Sequence, residues 1–322
     1  MVFISRRQFA LGIVGGAVLP TAQAQSGAVL SMLVGFPAGA TPDVIARVVA
    51  RAMEPSLKRT AIIDNRAGAA GQLALSALKK VTALNDAVAF TPLAALTIYP
   101  STYASLPYDP VADFAPVCTV CTTDTALVVA ADHPAHNVSE FVQWCKTNPN
   151  KANVGNPGSG SPADFATWML ANASGAPLVR VPYRVPPQIT QEIIGGSLAG
   201  GIASSSLFAE LVKSGRLRVL ATSGMKRSLL FPNAPTFIEA GYTDVAVEDW
   251  FALYVRKGTP AATINALASS TRDAANDPQV VASLTSLGLA LDVRDADWLA
   301  ELVRKERARW QELVVRAKFK LM

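Results

Sequence analysis

The chain has 322 residues, of which 50% are hydrophobic and 16% are charged, and its formal net charge is +5. About 300 residues are too many for one compact core, so we expect two domains of roughly 100–150 residues each. A weak positive charge without a dense Lys/Arg stripe argues against nucleic acid as a partner.

The N-terminal segment has the three parts of a secretory signal. Arg6 and Arg7 form a paired-arginine start, residues 12–19 form a short apolar run, and Ala22 and Ala24 provide a small-x-small exit. The run is shorter than the ~20 apolar residues that span a bilayer, and paired arginines favour the twin-arginine (Tat) export route. Removal of residues 1–24 as a signal peptide would leave 298 residues (322 − 24) and a net charge of +3.

Short β-prone runs alternate with helix-like stretches along the rest of the chain. The predicted strands are residues 29–34, 61–64, 87–90, 127–130, 178–181, 219–222 and 253–255. The predicted helices are residues 42–57, 71–81, 139–146, 161–173, 187–194, 261–275 and 297–318, the last with an apolar stripe that is expected to pack against one lobe. This alternation builds parallel sheets with helices on both faces, so the expected fold class is α/β.

Three glycine-containing loops lead towards predicted helices. In open α/β sheets, ligands bind beyond the carboxyl ends of strands, where such loops lead into helices. Loop one is residues 35–43, loop two is residues 64–71 and loop three is residues 155–162. Each loop alone is typical of an ordinary turn. Three of them in one chain favour a cleft in which backbone amides hold an anion.

The helix starts after loops one and three have matching signals. Thr41 is predicted to cap the first helix, Pro42 to begin it and Asp43 to complement its positive end. Ser161 and Pro162 predict the same kind of start after loop three.

An exported hydrolase is the alternative function. Ser76 and Lys79 match the Ser-x-x-Lys pattern of a nucleophile and its base. They lie late in a predicted helix, and the companion Ser-Asp-Asn and Lys-Thr-Gly elements are absent from the sequence. His133 and His136, separated by a proline, are interpreted as an exposed turn and not as a metal site. The sequence therefore favours binding without catalysis.

The chain has three cysteines. Cys118 and Cys121 lie in a β-prone segment, where side chains three positions apart in a regular strand point to opposite faces. This placement favours structural thiols over a thioredoxin-type redox pair, which begins a helix. The redox state of these two cysteines and of Cys145 is left open.

Several motifs resemble the solute-binding receptors of tripartite tricarboxylate transporters, which are often called Bug receptors. The similar segments include Gly35-Phe-Pro-Ala-Gly-Ala-Thr-Pro-Asp43, Asp64-Asn-Arg-Ala-Gly-Ala-Ala-Gly71 and, most specifically, Leu106-Pro-Tyr-Asp-Pro-Val-Ala-Asp-Phe-Ala-Pro-Val117. Further matches follow in the family's order as far as Gly258-Thr-Pro260, so the resemblance covers essentially the whole mature chain.

This resemblance implies a periplasmic binding protein of the Venus flytrap, type II-like fold, with two lobes. Residues 25–123 and 250–322 would form lobe one, and residues 124–249 would form lobe two, with crossover segments near residues 122–125 and 248–250 as the hinge. It implies a small carboxylate ligand, no cofactor and membrane permease subunits as partners, and we expect a monomer. An input protein that presents its ligand to a sensor kinase would share this fold and stays open as an alternative.

By the same resemblance, the ligand is expected to contact loop one, loop three and the Val-Pro-Tyr-Arg segment. The expected ligand-binding residues are Phe36, Ala38, Gly39, Ala40, Asn156, Gly158, Ser159, Ser161, Tyr183 and Arg184. Neutral donors, among them Asn156 and Ser161, are expected to hold the carboxylate, with Arg184 as the alternative charged group. A Ser161→Ala change would then weaken binding and leave the free protein's stability nearly intact.

Gly39 is expected to let the ligand lie against bare backbone. A Gly39→Ala change would then weaken binding without lowering the melting temperature of the free protein. An ordinary negative φ would instead make the change tolerated or slightly stabilising, and a positive φ would make it destabilise the free protein. Two positions depart from the family's pattern: Ala40 stands where a second glycine is usual, and Asp164 stands where histidine is frequent.

Overall fold

The computed structural model describes residues 29–183 and 185–319. The predicted signal peptide and Arg184 therefore lie outside the described residues. The strands are β1 (Leu30–Val34), β2 (Ala61–Asn65), β3 (Ala87–Pro92), β4 (Phe114–Thr123), β5 (Thr125–Ala130), β6 (Asn153–Asn156), β7 (Val179–Pro182), β8 (Gly200–Ser204), β9 (Leu217–Thr222), β10 (Asp249–Arg256) and β11 (Ala290–Leu291).

The helices in the same ranges flank these strands. They are α1 (Thr41–Leu57), α2 (Gln72–Lys79), α3 (Ala94–Thr97), α4 (Tyr99–Thr102), α5 (Val138–Thr147), α6 (Pro162–Ser174), α7 (Pro187–Ile194), α8 (Ser205–Lys213), α9 (Ala261–Ala275), α10 (Pro278–Ser286) and α11 (Ala296–Arg316). No helix in the described ranges is long and apolar enough to cross a membrane.

The strands form two sheets. The first has the order β11-β4-β10-β3-β1-β2, and the second has the order β7-β6-β8-β5-β9. β1 is parallel to β2 and β3, and β6 is parallel to β7 and β8, as expected where a helix connects consecutive strands. One face of the first sheet buries α1, because Ile45, Val49 and Met53 recur on the side of that helix that meets Met32.

Two crossovers join the sheets and form the hinge, and the first of them is short. β4 ends at Thr123 and β5 begins at Thr125, so only Asp124 separates a strand of the first sheet from a strand of the second. The chain returns to the first sheet at Asp249, where β10 begins. These positions agree with the crossovers expected near residues 122–125 and 248–250.

Strand directions decide which edges of the two sheets meet at the hinge. β4 is antiparallel to β10, which is antiparallel to β3, so β4 ends at the same edge as β1 and β3. β5 is antiparallel to β8, so it begins at the edge where β6 and β8 end. The carboxyl ends of the parallel strands of both sheets therefore face a shared interlobe cleft, which confirms the predicted two-lobed α/β fold.

The last helix packs against both lobes, whereas the sequence predicted packing against one. In its first half, Leu299 and Val303 join the core beneath the first sheet. In its second half, the Trp310 ring lies 5.2 Å from the ring of Phe165 in α6. Arg309 also donates to the carbonyl of Ala246 at 2.7 Å.

The expectation that Cys118 and Cys121 point to opposite faces is wrong. Both side chains are buried in one core cluster with Val117 and Val120. β4 shifts register against β10 twice along this stretch, and such a bulge breaks the regular alternation of side chains. All three cysteines are free and buried, and burial raises the pKa of the Cys145 thiol to about 12. This burial fits structural thiols.

Candidate ligand-binding site

The three predicted loops all lie at the cleft edges of the sheets. Loop one follows β1, loop two follows β2, and loop three follows β6. Loops one and two touch each other, since the side chain of Asn65 donates to the carbonyl of Phe36 at 3.0 Å. Loop three belongs to the opposite lobe, and no hydrogen bond within the described residues joins it to loop one.

The amides of loop one are only partly free to bind an anion. The amide of Gly39 donates to Oδ2 of Asp43 at 2.8 Å, and the amide of Ala40 donates to the carbonyl of Pro37 at 3.1 Å. Within the described residues, the amides of Ala38 and Thr41 have no acceptor. Both residues are exposed, so these two amides remain available at the start of α1.

The predicted cap of α1 is displaced by one residue. Ala40 occupies the N-cap position without a side-chain hydrogen bond, and Thr41 is already the first helical residue. The carboxylate of Asp43 accepts the amide of Gly39, which lies ahead of the helix, so it holds the loop and does not cap a helical amide. Pro42 lies in the first turn, as predicted.

Asp43 holds loop one together from a buried position. Asp43 is 1% exposed. Its carboxylate accepts hydrogen bonds from Nε of Arg47 at 2.9 Å and from Nδ2 of Asn65 at 2.8 Å. Burial opposes ionisation of this carboxyl. The hydrogen bonds from Arg47, the Gly39 amide and Asn65 outweigh that effect and lower its pKa.

Gly39 has a left-handed backbone, with φ of +82°. The expectation that Gly39→Ala leaves the stability of the free protein unchanged is therefore wrong, because a side chain is strained at this φ. A Cβ at Gly39 would meet nothing within 4 Å, so the position faces open space. Its place after Ala38, in a turn closed by the Ala40 amide and the Pro37 carbonyl, matches the third residue of a type II turn.

Close backbone contact fixes loop two against loop one. A Cβ on Gly35 would overlap the Cα of Gly71 and lie 2.7 Å from its carbonyl oxygen. A Cβ on Gly71 would lie 3.3 Å from the ring of Phe36. Gly35 is therefore required by packing, whereas Gly71 is favoured by its left-handed backbone, with φ of +94°. The half-buried Phe36 ring lies at the edge of the cleft.

Loop three repeats the internal arrangement of loop one. The amide of Gly160 donates to Oδ2 of Asp164 at 2.9 Å, and Nδ2 of Asn156 donates to Oδ1 at 3.3 Å. Nη1 of Arg180, from β7, donates to Oδ2 at 3.1 Å. Asp164 is 2% exposed. Burial raises its pKa, although the Gly160 amide, Arg180 and Asn156 act in the opposite direction.

Two predicted donors of loop three have structural roles. Asn156 is fully buried, its Nδ2 is engaged by Asp164, and its Oδ1 is an acceptor without a partner among the described residues. Ser161 caps α6, since its Oγ accepts the amide of Asp164 at 3.1 Å. The predicted cap is confirmed. The expectation that Ser161→Ala leaves stability intact is wrong, because the change removes this cap.

Ser159 and Tyr183, two more of the predicted residues, differ in whether their hydroxyl groups are already hydrogen-bonded within the described residues. Ser159 is exposed at the tip of loop three, beside Gly158, where φ is +103°. The hydroxyl of Tyr183 donates to Glu192 at 2.6 Å, and burial together with that carboxylate raises the tyrosine pKa to about 12. Tyr183 is therefore not a free donor.

The hydrolase pattern has no supporting geometry. Nζ of Lys79, the group expected to act as the base for Ser76, pairs with Asp113 at 2.9 Å. His133 is half-buried against Phe141 and Trp144, so the exposed turn expected for it is wrong. In the part of the chain that the structure describes, no group of His, Cys, Asp and Glu could hold a metal ion.

A separate cavity of about 280 Å³ lies beside the hinge, lined by residues that include Asp124, Ser228 and Glu248. It borders β11 and the loop after β9. β11 is the edge strand of the first sheet opposite β2, and β9 is the edge strand of the second sheet opposite β7. The cavity is thus distinct from the cleft that loops one and three border.

Sequence reasoning missed the roles of four residues that organise the site: Asn65, Arg47, Asp164 and Arg180. A readable signal was present, because a glycine precedes an aspartate by four residues in both Gly39–Asp43 and Gly160–Asp164. Each aspartate lies in the first turn of its helix. The arginine and asparagine partners come from different elements in the two lobes and share no such spacing.

The fold and the cleft define the class of protein, a two-lobed α/β periplasmic binding protein. The chain belongs to the tripartite tricarboxylate transporter receptors: the family model described as "Tripartite tricarboxylate transporter family receptor" matches residues 45–318. The members of this family are solute-binding receptors.

Individual relatives agree with this assignment. The chain is 29% identical to the protein BugT of Bordetella pertussis over 286 residues, which cover 88% of each chain. It is similar to a structure described as a periplasmic transporter, with a TM-score of 0.79 and 25% identity over 91% of this chain and 98% of that one. The R. palustris protein Rpa4515, solved with adipate, has the same fold, with a TM-score of 0.80 and 23% identity over 91% and 98% of the two chains.

Proposed function

We propose that this receptor captures a small carboxylate in the interlobe cleft and delivers it to membrane permease subunits. The observation that carries the proposal is the start of α1, a 17-residue helix. At its positive end, the amides of the exposed residues Ala38 and Thr41 have no acceptor among the residues described. The adipate found with the similarly folded Rpa4515 supports a carboxylate as the ligand class.

Loop three closes on the ligand from the opposite lobe in this proposal. The exposed Ser159 supplies a hydroxyl, and Gly158 leaves the backbone bare beside it. Gly39 and Ala40 shape the lobe-one wall of the cleft. A ligand that touches both lobes stabilises the closed arrangement, because its contacts are complete only there.

Export and partnership complete the proposal. Residues 1–24 direct the protein to the periplasm by the Tat route, and the mature chain acts there as a monomer. The cleft holds its ligand without changing it, and no cofactor is required. The engaged Lys79 and the family assignment both support binding without catalysis.

A thermal-shift screen of small carboxylates against the mature chain tests the ligand class. A ligand at 100 times its dissociation constant adds about 2.7 kcal/mol to the free energy of unfolding. Small-angle scattering with a ligand from the screen is expected to show a smaller radius of gyration. An unchanged radius at saturation would contradict capture by two closing lobes.

One variant isolates the loop-one amide. Ala38→Pro removes that N–H, and proline suits the second position of a type II turn. We expect at least a tenfold loss of carboxylate affinity, since a hydrogen bond to a charged group contributes about 1.5–3 kcal/mol, with little change in the stability of the free protein. Ala38→Ser keeps the amide and is the control. Equal affinity of the two variants by calorimetry would remove this amide from the site.

A further inference from the structure

Both helices that begin at the cleft already hold a carboxylate of the chain itself. At α1 the carboxylate is Asp43, and at α6 it is Asp164. Each aspartate accepts the amide of the glycine four residues before it and the side-chain amide of an asparagine at a strand end. Each also pairs with an arginine. These donors are the ones that a bound anion would use.

The two helix starts differ in what remains for a ligand. At α1, Ala38 and Thr41 are exposed residues, and their amides have no acceptor in the part of the chain that the structure describes. At α6, the Gly160 amide is taken by Asp164, and the Asp164 amide is taken by Ser161. The Ser161 amide contacts the carbonyl of Gly158 at 3.4 Å, and Pro162 has no N–H. Ser159, an exposed residue, keeps an amide with no acceptor among the described residues. The start of α6 therefore offers a second anion one such amide, against two at the start of α1.

The arginine beside the start of α6, Arg180, is likewise already paired with Asp164. Nη1 of Arg180 lies 3.1 Å from Oδ2 of Asp164, so the pair has no net charge. A ligand carboxylate at the start of α6 would approach the aspartate and compete with it for one guanidinium. Asn156 cannot compensate, because its free Oδ1 is an acceptor and would repel an anion.

We propose that Asp164 is a specificity-determining residue that occupies the anion site of lobe two and limits the ligand to one carboxylate. This inference rests on the proposed function, because lobe one must hold that carboxylate. The other end of the ligand is then uncharged and polar, and it faces the exposed hydroxyl of Ser159. Dicarboxylates are excluded by the occupied site and not by size.

Calorimetry on the mature chain tests the inference with matched ligands. The probes are straight-chain dicarboxylates from succinate to adipate and the ω-hydroxy monocarboxylates of equal length. We expect the native protein to bind the best hydroxy acid at least tenfold more tightly than the dicarboxylate of that length. Asp164→Asn is expected to reduce this ratio at least tenfold by improving the dicarboxylate.

Two further variants separate specificity from folding. Asp132→Asn removes the same charge from the end of β5 remote from the cleft and is expected to leave the ratio unchanged. Arg180→Gln leaves Asp164 in place without its partner and is expected to widen the ratio, opposite to Asp164→Asn. If Asp164→Asn does not fold, the Arg180→Gln ratio decides, because loss of structure alone weakens both ligands equally.

The outcomes distinguish this inference from the proposed function. Equal or tighter binding of dicarboxylates by the native protein would overturn the inference and leave a carboxylate receptor in place. A ratio that none of the lobe-two variants changes would also overturn it. Binding of no carboxylate at all would overturn the proposed function, and the inference with it.

Discussion

Gly39→Ala tests the backbone of loop one. An L-residue in the left-handed region costs about 1–2 kcal/mol, and the lower entropy of the unfolded chain returns about 0.4–1 kcal/mol. The added methyl group causes no clash, because nothing lies within 4 Å of its position. The free energy of unfolding should therefore fall by about 1 kcal/mol, which corresponds to about 2 °C in melting temperature for a chain of this size.

Urea denaturation of the ligand-free mature protein measures this change. Gly39→Asn is the matched control, because asparagine tolerates the left-handed region better than alanine although its side chain is larger. The expected order of stability is glycine, then asparagine, then alanine. A larger loss for asparagine than for alanine would show that side-chain size matters at this position and would refute the backbone argument.

Three more changes test individual parts of the site. Ser161→Ala should lower the free energy of unfolding by about 1 kcal/mol in urea denaturation, because it removes the cap that accepts the Asp164 amide; unchanged stability would deny that role. Ala70→Gly should raise the free energy of unfolding by about 0.5 kcal/mol, because Ala70 has a φ of +54°. The control, Ala77→Gly within α2, should lower the free energy of unfolding by about 1 kcal/mol. Changes of the same sign in the two variants would contradict this reasoning. The pKa of Asp43 is lowered in the folded protein, so its carboxylate stabilises the fold above the unfolded pKa and loses that effect as pH falls through the folded pKa. The stability gap between the native protein and Asp43→Asn, measured by urea denaturation, should thus narrow below about pH 3.8, and a gap independent of pH would count against the charge.

The long periodic elements could be predicted from sequence because their signals are local. Helices α7 and α9 were predicted with the bounds that they have, residues 187–194 and 261–275. Proline lies at the start of each, and the apolar spacing within them fits a helix.

Strands β6 and β8 could not be predicted because tertiary packing selects them. β8 begins with Gly200 and Gly201, which have little β propensity. A Cβ on Gly200 would lie 2.7 Å from the carbonyl of Val128, and one on Gly201 would lie 2.8 Å from Ile189. These glycines are present because neighbouring elements come close, and that proximity is not visible in a single sequence.

The position of the candidate site was predictable, but its internal hydrogen bonds were not. Loops at strand ends follow from the order of elements. The pairing of Asp164 with Arg180 requires β7 to lie beside β6, which only the sheet topology establishes. For this reason Asn156 was expected to be a free donor, although Asp164 engages its Nδ2 in the folded loop.

The position of α11 limits how the lobes can move. The helix has 21 residues and is about 31 Å long at a rise of 1.5 Å per residue, with one half anchored in each lobe. A rigid rod fixed at both ends permits rotation about a line near itself and resists translation of one lobe along the other. Displacement during closure should then increase with distance from this line, and be greatest at β2 and β7, the sheet edges farthest from the crossovers. The gap through which a solute enters and leaves would therefore open between these two edge strands.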